Sequence, residues 1–407
     1  MKSTQIEFTN SNGEILSAKL EMPILGEPKA FAIFAHCFTC TKNFSAVKNI
    51  SRGLTQQDIG VLRFDFTGLG ESEGDFADTN FSTNIDDLIA ASEFLTEHYE
   101  APKILVGHSL GGAAIIHAAA RIPSVEALAT IGAPADPPHV LKLLSENIDE
   151  INSSGKATVK IGGRPFTIKK QFVEDIQEKS TCEVLRDLRI PIIIFHSPQD
   201  MIVDITNASK LYDYAFHPKS YISLNKSDHL LSNEADSVYV GNVISGWSAR
   251  YVSFNQEKEL LTDKQVVVRT SDSYTTEGKA RTHSMILDEP LNLKGDDHGP
   301  TPYEYLLASL GSCTSITLRM YANRKGWDLK EVKVHLEREQ VHLKDSEDCP
   351  HNDCRIDKID RHLEFTGDLT QDQIERLLQI ADKCPVHRTL TGEIKITTKL
   401  LETIDQL

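Results

Sequence analysis

Three residues far apart in this chain have the types and settings that acyl transfer requires. Ser109 lies in Gly107-His-Ser-Leu-Gly111, after the apolar run Ile104-Leu-Val106 and before an Ala-rich segment. This reads as a short strand, a turn centred on Ser109 and a helix opening at Ala113. The flanking glycines suit a strand-to-helix turn that holds its middle residue in a strained conformation and lifts a hydroxyl to the edge of a sheet. In that architecture the acid and the histidine follow the serine in chain order. Pro191-Ile-Ile-Ile-Phe-His196 reads as a buried strand by its unbroken apolar run, and Ser197-Pro-Gln-Asp200 places an acid just past its end. Tyr221-Ile-Ser-Leu224 is a further short strand, with His229 beyond it. The C-terminal edge of an open α/β sheet is where ligand-contacting residues collect. His229 would take the proton of Ser109, and Asp200 would orient the imidazole and stabilise its charged form.

Other residues compete for these roles. Asp204 and Asp228 are alternative acids, but Asp200 is nearest its strand end. His196 and His217 are alternative bases, yet His196 ends the acid's own strand, a poor place from which to reach both partners. His108, inside the elbow, is expected to pack beneath the turn. An acyl intermediate also needs donors for its oxyanion. One is the backbone N–H of Leu110, the residue after the nucleophile. The other should come from the loop His36-Cys-Phe38 after the strand Phe31–Ala35, with Phe38 preferred over Cys37.

These pieces carry a resemblance. With Arg63-Phe-Asp-Phe-Thr-Gly-Leu-Gly-Glu-Ser72, they make residues from about 15 to 250 similar to α/β-hydrolases of the serine-esterase and serine-aminopeptidase type. The resemblance implies a doubly wound, mostly parallel sheet with a Ser–His–Asp site. Many relatives carry glycine where this chain has Cys37, so a side chain there could alter the oxyanion loop or narrow the entrance. The run Gly68, Gly70 and Gly74 fits neither phosphate-binding spacing and reads as a structural loop beside the site. Residues from about 136 to 190 form an insert read as a small lid. It holds a hairpin over Thr158–Ile168 turning at Gly162-Gly163, and a helical pattern from Gln171 to Leu188.

Size and composition bound the remainder. A chain of 407 residues exceeds one ordinary core. A net charge of −16 argues against nucleic acid or an anionic membrane as partner. The first residues lack an apolar core of signal-peptide length, and no run reaches transmembrane length, which makes the cytoplasm the expected location. Seven cysteines, an odd number, do not make a disulfide scaffold in a chain of this size. Cys182 reads as structural. Cys37 and Cys40 form a C-x-x-C with no second pair at zinc-ligand spacing, and Cys349-Pro-His-Asn-Asp-Cys354 reads as a plain loop; no metal is expected.

The hydrolase pattern closes with a helix over Ala235–Trp247, so the domains are placed at residues 1–254 and 255–407. A new strand begins at Gln265-Val-Val-Val-Arg269. A long helix over Pro302–Lys325 carries Leu306, Leu310, Cys313, Thr317 and Met320 at alternating spacings of four and three, one expected stripe. Strands over Glu331–Glu337 and Lys358–Phe365 and a helix over Gln371–Asp382 follow. Cys384 then stands at an N-cap with Pro385 at the first helical position, where a helix N-terminus favours the nucleophilic thiolate.

Thr301-Pro-Tyr-Glu-Tyr-Leu-Leu-Ala-Ser-Leu-Gly-Ser-Cys-Thr314, Lys383-Cys-Pro-Val-His-Arg388 and Gly295-Asp-Asp-His-Gly-Pro300 closely resemble the OsmC family. That resemblance covers about 260 to 405 and implies an α+β fold, an intertwined homodimer, and reduction of organic hydroperoxides with a dithiol as reductant. Carried over, Cys313 attacks the peroxide and Cys384 resolves the sulfenic acid. One position departs from the pattern. Peroxidase members pair an arginine with a glutamate ten residues before the first cysteine, where this chain has Tyr303. Glu304 is one residue late, and at about 100° per residue it points away from Cys313. Arg281 is a candidate cation near the thiols.

The chain therefore reads as a tandem fusion. One expectation is a serine hydrolase of small-molecule carboxylic esters, needing no cofactor, joined to a thiol domain that dimerises and reduces hydroperoxides. A second makes the OsmC-like half a dimerisation platform only. A third makes the hydrolase half a non-catalytic binding module.

Overall fold

The computed structural model describes residues 2–38, 40–144, 146–161, 164–255, 260–271, 273–342 and 355–401. The chain divides into two compact units, Met1–Glu259 and Leu260–Leu407.

The first unit is built on the strands β1 (Lys2–Thr9), β2 (Ile15–Met22), β3 (Ala30–Ala35), β4 (Ile59–Phe64), β5 (Ile104–His108), β6 (Ala127–Ile131), β7 (Lys156–Ile161), β8 (Arg164–Lys169), β9 (Ile192–His196) and β10 (Lys219–Ser223). Its helices are α1 (Ser45–Thr55), α2 (Phe81–His98), α3 (Leu110–Ala119), α4 (Ile148–Ser154), α5 (Lys170–Gln177), α6 (Thr181–Asp187), α7 (Thr206–Tyr214) and α8 (Glu234–Ser248). Eight strands form one sheet in the order β1-β2-β4-β3-β5-β6-β9-β10. The β1–β2 and β2–β4 pairs are antiparallel and the others parallel.

Residue choice explains the architecture. Every residue of β3, β4, β5, β6 and β9 is buried, as expected of strands covered by helices on both faces. One face packs Ile33, Leu62, Leu105 and Leu128 against Leu88 and Ile115. The other packs Phe34, Val61, Val106 and Ala129 against Ile50 and Ile244. The parallel strands β3, β5, β6, β9 and β10 all end at one edge, and the site collects there.

Between β6 and β9 the chain leaves the sheet. A 3₁₀ segment over Pro137–Leu144, then α4, the β7–β8 hairpin, α5 and α6 make up this excursion. The hairpin pairs Lys156 with Lys169 and Ile161 with Arg164; the expected Gly162-Gly163 turn lies outside the described residues. The single helical pattern expected from Gln171 to Leu188 is two helices. Ser180 caps the second through its side chain, accepting from the Glu183 N–H, and so interrupts the run.

The second unit contains β11 (Val267–Thr270), β12 (Thr276–Ala280), β13 (His283–Leu287), α9 (Pro302–Lys325), β14 (Asp328–His342), β15 (Arg355–Asp368), α10 (Gln371–Ala381) and α11 (Pro385–Thr391). The first three strands form an antiparallel sheet, and β14 and β15 pair over their full length. Its helix starts are strongly marked. Thr301 and Glu304 form a reciprocal capping box with Pro302 at the first helical position, and Gly326 ends α9 in the left-handed conformation. The stripe expected on α9 is displaced. Its buried residues are Leu310, Gly311, Thr314, Leu318 and Ala322, while Met320 is 67% exposed and Cys313 lies at the margin. Residues four apart repeat on either of two neighbouring arcs of a helix, so spacing alone did not decide between them. The Cys349–Cys354 loop lies outside the described residues.

Candidate active site

The elbow is built as its spacing predicts. Ser109 follows β5 directly and stands at φ 55°, ψ −126°, with α3 beginning at the next residue. Its N–H donates to the Ile131 carbonyl at 2.8 Å, tying the turn to the neighbouring strand. A Cβ on Gly107 would lie 2.5 Å from the Gly111 carbonyl oxygen, and one on Gly111 would lie 2.4 Å from that of His36. Both glycines are therefore required by close approach. The second contact also shows how near the His36 loop runs to the elbow.

Asp200 and His229 meet Ser109 here. The His229 Nε2 is 3.0 Å from Ser109 Oγ, and its Nδ1 is 2.7 Å from Asp200 Oδ2. The other oxygen of Asp200 accepts the N–H groups of Ile202 (2.8 Å) and Val203 (2.9 Å). Burial alone would raise this carboxyl; the His229 hydrogen bond and charge, with the two N–H donors, outweigh it and hold the group below its ordinary value. An ionised carboxylate on Nδ1 selects the tautomer whose Nε2 can accept the serine proton.

The competing residues have other work. Asp228 accepts from the Ser232 N–H, and Asp204 from the Thr206 N–H and hydroxyl. His217 precedes β10, at the opposite end of that strand from His229. His196 donates through Nε2 to the Val203 carbonyl at 2.8 Å, bracing the loop that follows Asp200. His108 donates to the His229 carbonyl at 2.7 Å, bracing the His229 loop, and burial pushes its imidazole down to about 3. Sequence reasoning missed Gly132. It has φ +54°, and a Cβ there would lie 3.3 Å from both Asp200 Oδ2 and His229 Nδ1.

Leu110 opens α3, and the first N–H groups of a helix have no partner inside it. On the facing loop the Cys37 carbonyl accepts from His36 Nδ1 at 2.8 Å and from the Cys40 N–H at 3.1 Å. A trans peptide is planar, so fixing this carbonyl also fixes the opposed N–H, that of Phe38. The Phe38 ring packs on Phe76 (5.3 Å between centroids) and on Phe172 of the excursion (5.1 Å), and Phe76 on Phe166 (5.0 Å). Cys37 and Cys40, marked in the sequence only as a C-x-x-C without zinc-ligand spacing, form a disulfide. The turn brings their Cα atoms to 5.2 Å, within the span a disulfide bridges.

In the second unit Cys313 and Cys384 are free, and Cys384 is fully buried. Cys384 caps α11, its sulfur accepting the His387 N–H at 3.2 Å. The same sulfur lies 3.6 Å from the hydroxyl oxygen of Thr314, the neighbour of Cys313 on α9. Arg361, not singled out from sequence, donates to that hydroxyl oxygen at 3.1 Å and to the Asp382 carboxylate at 2.6 Å. The Glu304 carboxylate is engaged at the Thr301 N–H, and Arg281 is exposed at the turn between β12 and β13. Tyr303 carries the Arg338 guanidinium 3.6 Å over its ring. Asp288, Asp296 and His298 bring carboxylate and imidazole atoms within 4.8 Å of one another, but Asp288 already accepts from Thr275, Glu289 and His298. No helix among the described residues is long and apolar enough to cross a membrane.

A helix-flanked, mostly parallel sheet with a strained serine at its edge defines an α/β-hydrolase. Comparison with known proteins agrees. The family model described as serine aminopeptidase, S33, matches residues 26–184, and that of OsmC-like proteins matches residues 295–399. The chain belongs to the α/β-hydrolases in its first unit and carries an OsmC domain in its second, a tandem fusion. It is similar to the crystal structure of the esterase domain of a Rhodothermus marinus protein, at 47% identity and TM-score 0.52, covering 62% of this chain and 99% of that one. The mitochondrial palmitoyl-protein thioesterase ABHD10 of Mus musculus is 29% identical over 184 residues, which are 43% of this chain and 60% of that protein. Alpha/beta hydrolase domain-containing protein 10 from mouse, at 23% identity and TM-score 0.52, shares the fold, covering 61% of this chain and 99% of that chain. The first unit is thus a hydrolase by family, similar to proteins named as an esterase domain and as a thioesterase.

Proposed function

We propose that the first unit is a serine hydrolase that cleaves carboxylic esters or thioesters through Ser109, His229 and Asp200. The observation that carries this is the continuous hydroxyl–imidazole–carboxylate chain at 3.0 and 2.7 Å. Ser109 Oγ attacks the substrate carbonyl while His229 Nε2 takes its proton; Asp200 stabilises the resulting imidazolium. The Leu110 and Phe38 N–H groups receive the oxyanion. His229 returns the proton to the leaving group, then activates a water that clears the acyl-enzyme.

An apolar acyl chain suits the surroundings. Met201 and Ile202 follow the acid and are exposed, and Leu230, also exposed, follows the base. The Phe38, Phe76, Phe166 and Phe172 rings form an aromatic wall where the lid reaches the oxyanion loop. A relative named as a palmitoyl-protein thioesterase and one described as an esterase domain point the same way. Nitrophenyl esters of graded chain length test the reading. The wild type should turn them over, and Ser109→Ala should lose about 10⁴-fold or more in kcat. Turnover that survives in that variant removes the serine mechanism.

For the second unit we infer a homodimer whose Cys313 and Cys384 reduce organic hydroperoxides. Cys313 thiolate takes the terminal oxygen of the peroxide and releases an alcohol; Cys384 condenses with the sulfenic acid, releasing water, and a dithiol reduces the disulfide. Support comes from the Thr314 bridge between the two cysteine segments. Dimerisation is supported by a small core around Leu318, Leu377 and Ala381 and by the exposed Ile316 and Met320 on α9. A platform without redox chemistry is the second reading, favoured by Glu304 being spent on helix capping and by Tyr303 at the departing position. Cumene hydroperoxide consumption with dihydrolipoamide separates the two: equal rates for wild type and Cys313→Ser leave only the platform.

A further inference from the structure

We propose that the Cys37–Cys40 disulfide is a thiol-exchange site that sets hydrolase turnover, active when closed and slowed when a small dithiol opens it. This rests on the serine-hydrolase reading above.

The argument starts from the peptide between Cys37 and Phe38. Its N–H is the second donor for the oxyanion, and its carbonyl is held by the His36 ring and the Cys40 N–H. His36 is buried, and burial lowers its imidazole, so the ring is neutral. Its Nε2 accepts from the Phe66 N–H at 3.4 Å, which leaves the proton on Nδ1, facing Cys37. The far end of the loop is anchored separately. The Lys42 N–H and ammonium both reach Asp65 at 2.6 Å, the ammonium also reaches Glu71 at 2.6 Å, and Arg63 holds the Lys42 carbonyl while paired with Glu21. Lys42, Asp65 and Glu21 are fully buried. The fold therefore fixes His36 and Lys42 whether or not the bridge exists. Between them, among the described residues, the Cys40 N–H and the disulfide tie Cys40 back onto Cys37, and so onto the peptide that aims the Phe38 N–H.

The bridge is reachable from one side. Cys37 is 6% exposed, whereas Cys40 is half-buried. An incoming thiolate attacks Cys40 Sγ, forming a mixed disulfide and expelling the Cys37 thiolate. The reagent's second thiol passes its proton to Cys37 and displaces Cys40, whose thiolate takes up the proton that the reagent's first thiol released to solvent on ionising. The products are two protein thiols and one oxidised, cyclic dithiol, a two-electron exchange that runs backward with the oxidised reagent. With the bridge open, the donor peptide has one tie fewer while the triad on the opposite side is untouched. The effect belongs in kcat, because oxyanion donors act on charge that develops in the transition state.

The experiment uses the full-length protein, one portion left oxidised and one reduced with dithiothreitol and desalted. Iodoacetamide trapping and mass spectrometry of the peptide holding Cys37 and Cys40 report the state of the pair. With nitrophenyl butyrate, reduction should lower kcat by at least about ten-fold, toward the roughly 10²–10³-fold cost of removing one oxyanion donor, with KM little changed. Oxidised dithiothreitol should restore it. Cys40→Ser should match the reduced enzyme and ignore the dithiol, which separates this site from Cys313 and Cys384. The inference is overturned by air-oxidised protein without the bridge, by equal kcat in the two verified states, or by a Cys40→Ser variant that still responds. Oxidised protein whose turnover does not depend on Ser109 is a different failure: it sinks the hydrolase reading and takes this inference with it.

Discussion

The His108 ring donates through Nε2 to the backbone carbonyl of His229 at 2.7 Å. The residue beside Ser109 thus props up the residue proposed to deprotonate it. With its imidazole pushed down to about 3 by burial, His108 stays neutral and offers one fixed proton. His108→Phe removes that donor and strands a carbonyl, at a cost of about 2 kcal/mol. The base's loop should drift, lowering kcat about ten-fold or more. Urea unfolding and ester kinetics check both; an unchanged kcat would deny His108 a positioning role.

Gly132 lines the Asp200–His229 contact. Gly132→Ala places a methyl 3.3 Å from Asp200 Oδ2 and His229 Nδ1 in a left-handed conformation. The backbone strain costs about 1 kcal/mol, and the crowded pair should lose about ten-fold in kcat. A fully active variant would show that the pair tolerates displacement.

Met201 is 92% exposed beside the acid, so Met201→Ser should leave stability within about 0.5 kcal/mol. If it borders the acyl chain, KM for nitrophenyl decanoate rises about two- to ten-fold while that for the acetate does not move. Equal effects on both esters would place the acyl chain elsewhere.

Stability should fall in mild acid. Burial lowers the imidazoles of His36, His108, His117 and His196 below their ordinary value of 6.5, to about 3 for His108 and about 4 for His117. Below 6.5 the unfolded chain binds these protons and the folded chain does not. The stability they contribute is thus complete above 6.5 and lost as pH drops toward their folded values. Asp87 acts oppositely: burial raises it to about 6, so the folded state gains as pH falls from about 6 to 3.8. Four imidazoles outweigh one carboxyl, each group carrying about 1.4 kcal/mol per pH unit within its window. The free energy of denaturation should drop by at least about 2 kcal/mol from pH 7 to pH 5; a flat profile would contradict it.

Much of the site was legible because it is written in local grammar. An apolar run followed by Gly-x-Ser-x-Gly dictates a strand and an elbow, and Asp200 and His229 were found by their distance from strand ends. The elements that support them were not legible in that way. His108, His196 and Gly132 matter through contacts between segments remote in the chain, which no spacing records. The Cys37–Cys40 bridge spans a loop whose two ends are held by His36 and by the Lys42–Asp65 anchor, the latter a contact between segments remote in the chain. On α9, periodicity identified the helix but not its buried arc, and the split at Ser180 rests on one side-chain cap, which a count of apolar residues does not register.

Cys384 is both a thiol and the acceptor that closes the first turn of α11. Its chemistry and its local architecture therefore share one atom. Drawing that sulfur into a bond with another partner takes it off the His387 N–H, and the amide then exchanges its hydrogen with solvent more freely. The protection of a single backbone amide becomes a gauge of oxidation, readable without following any substrate.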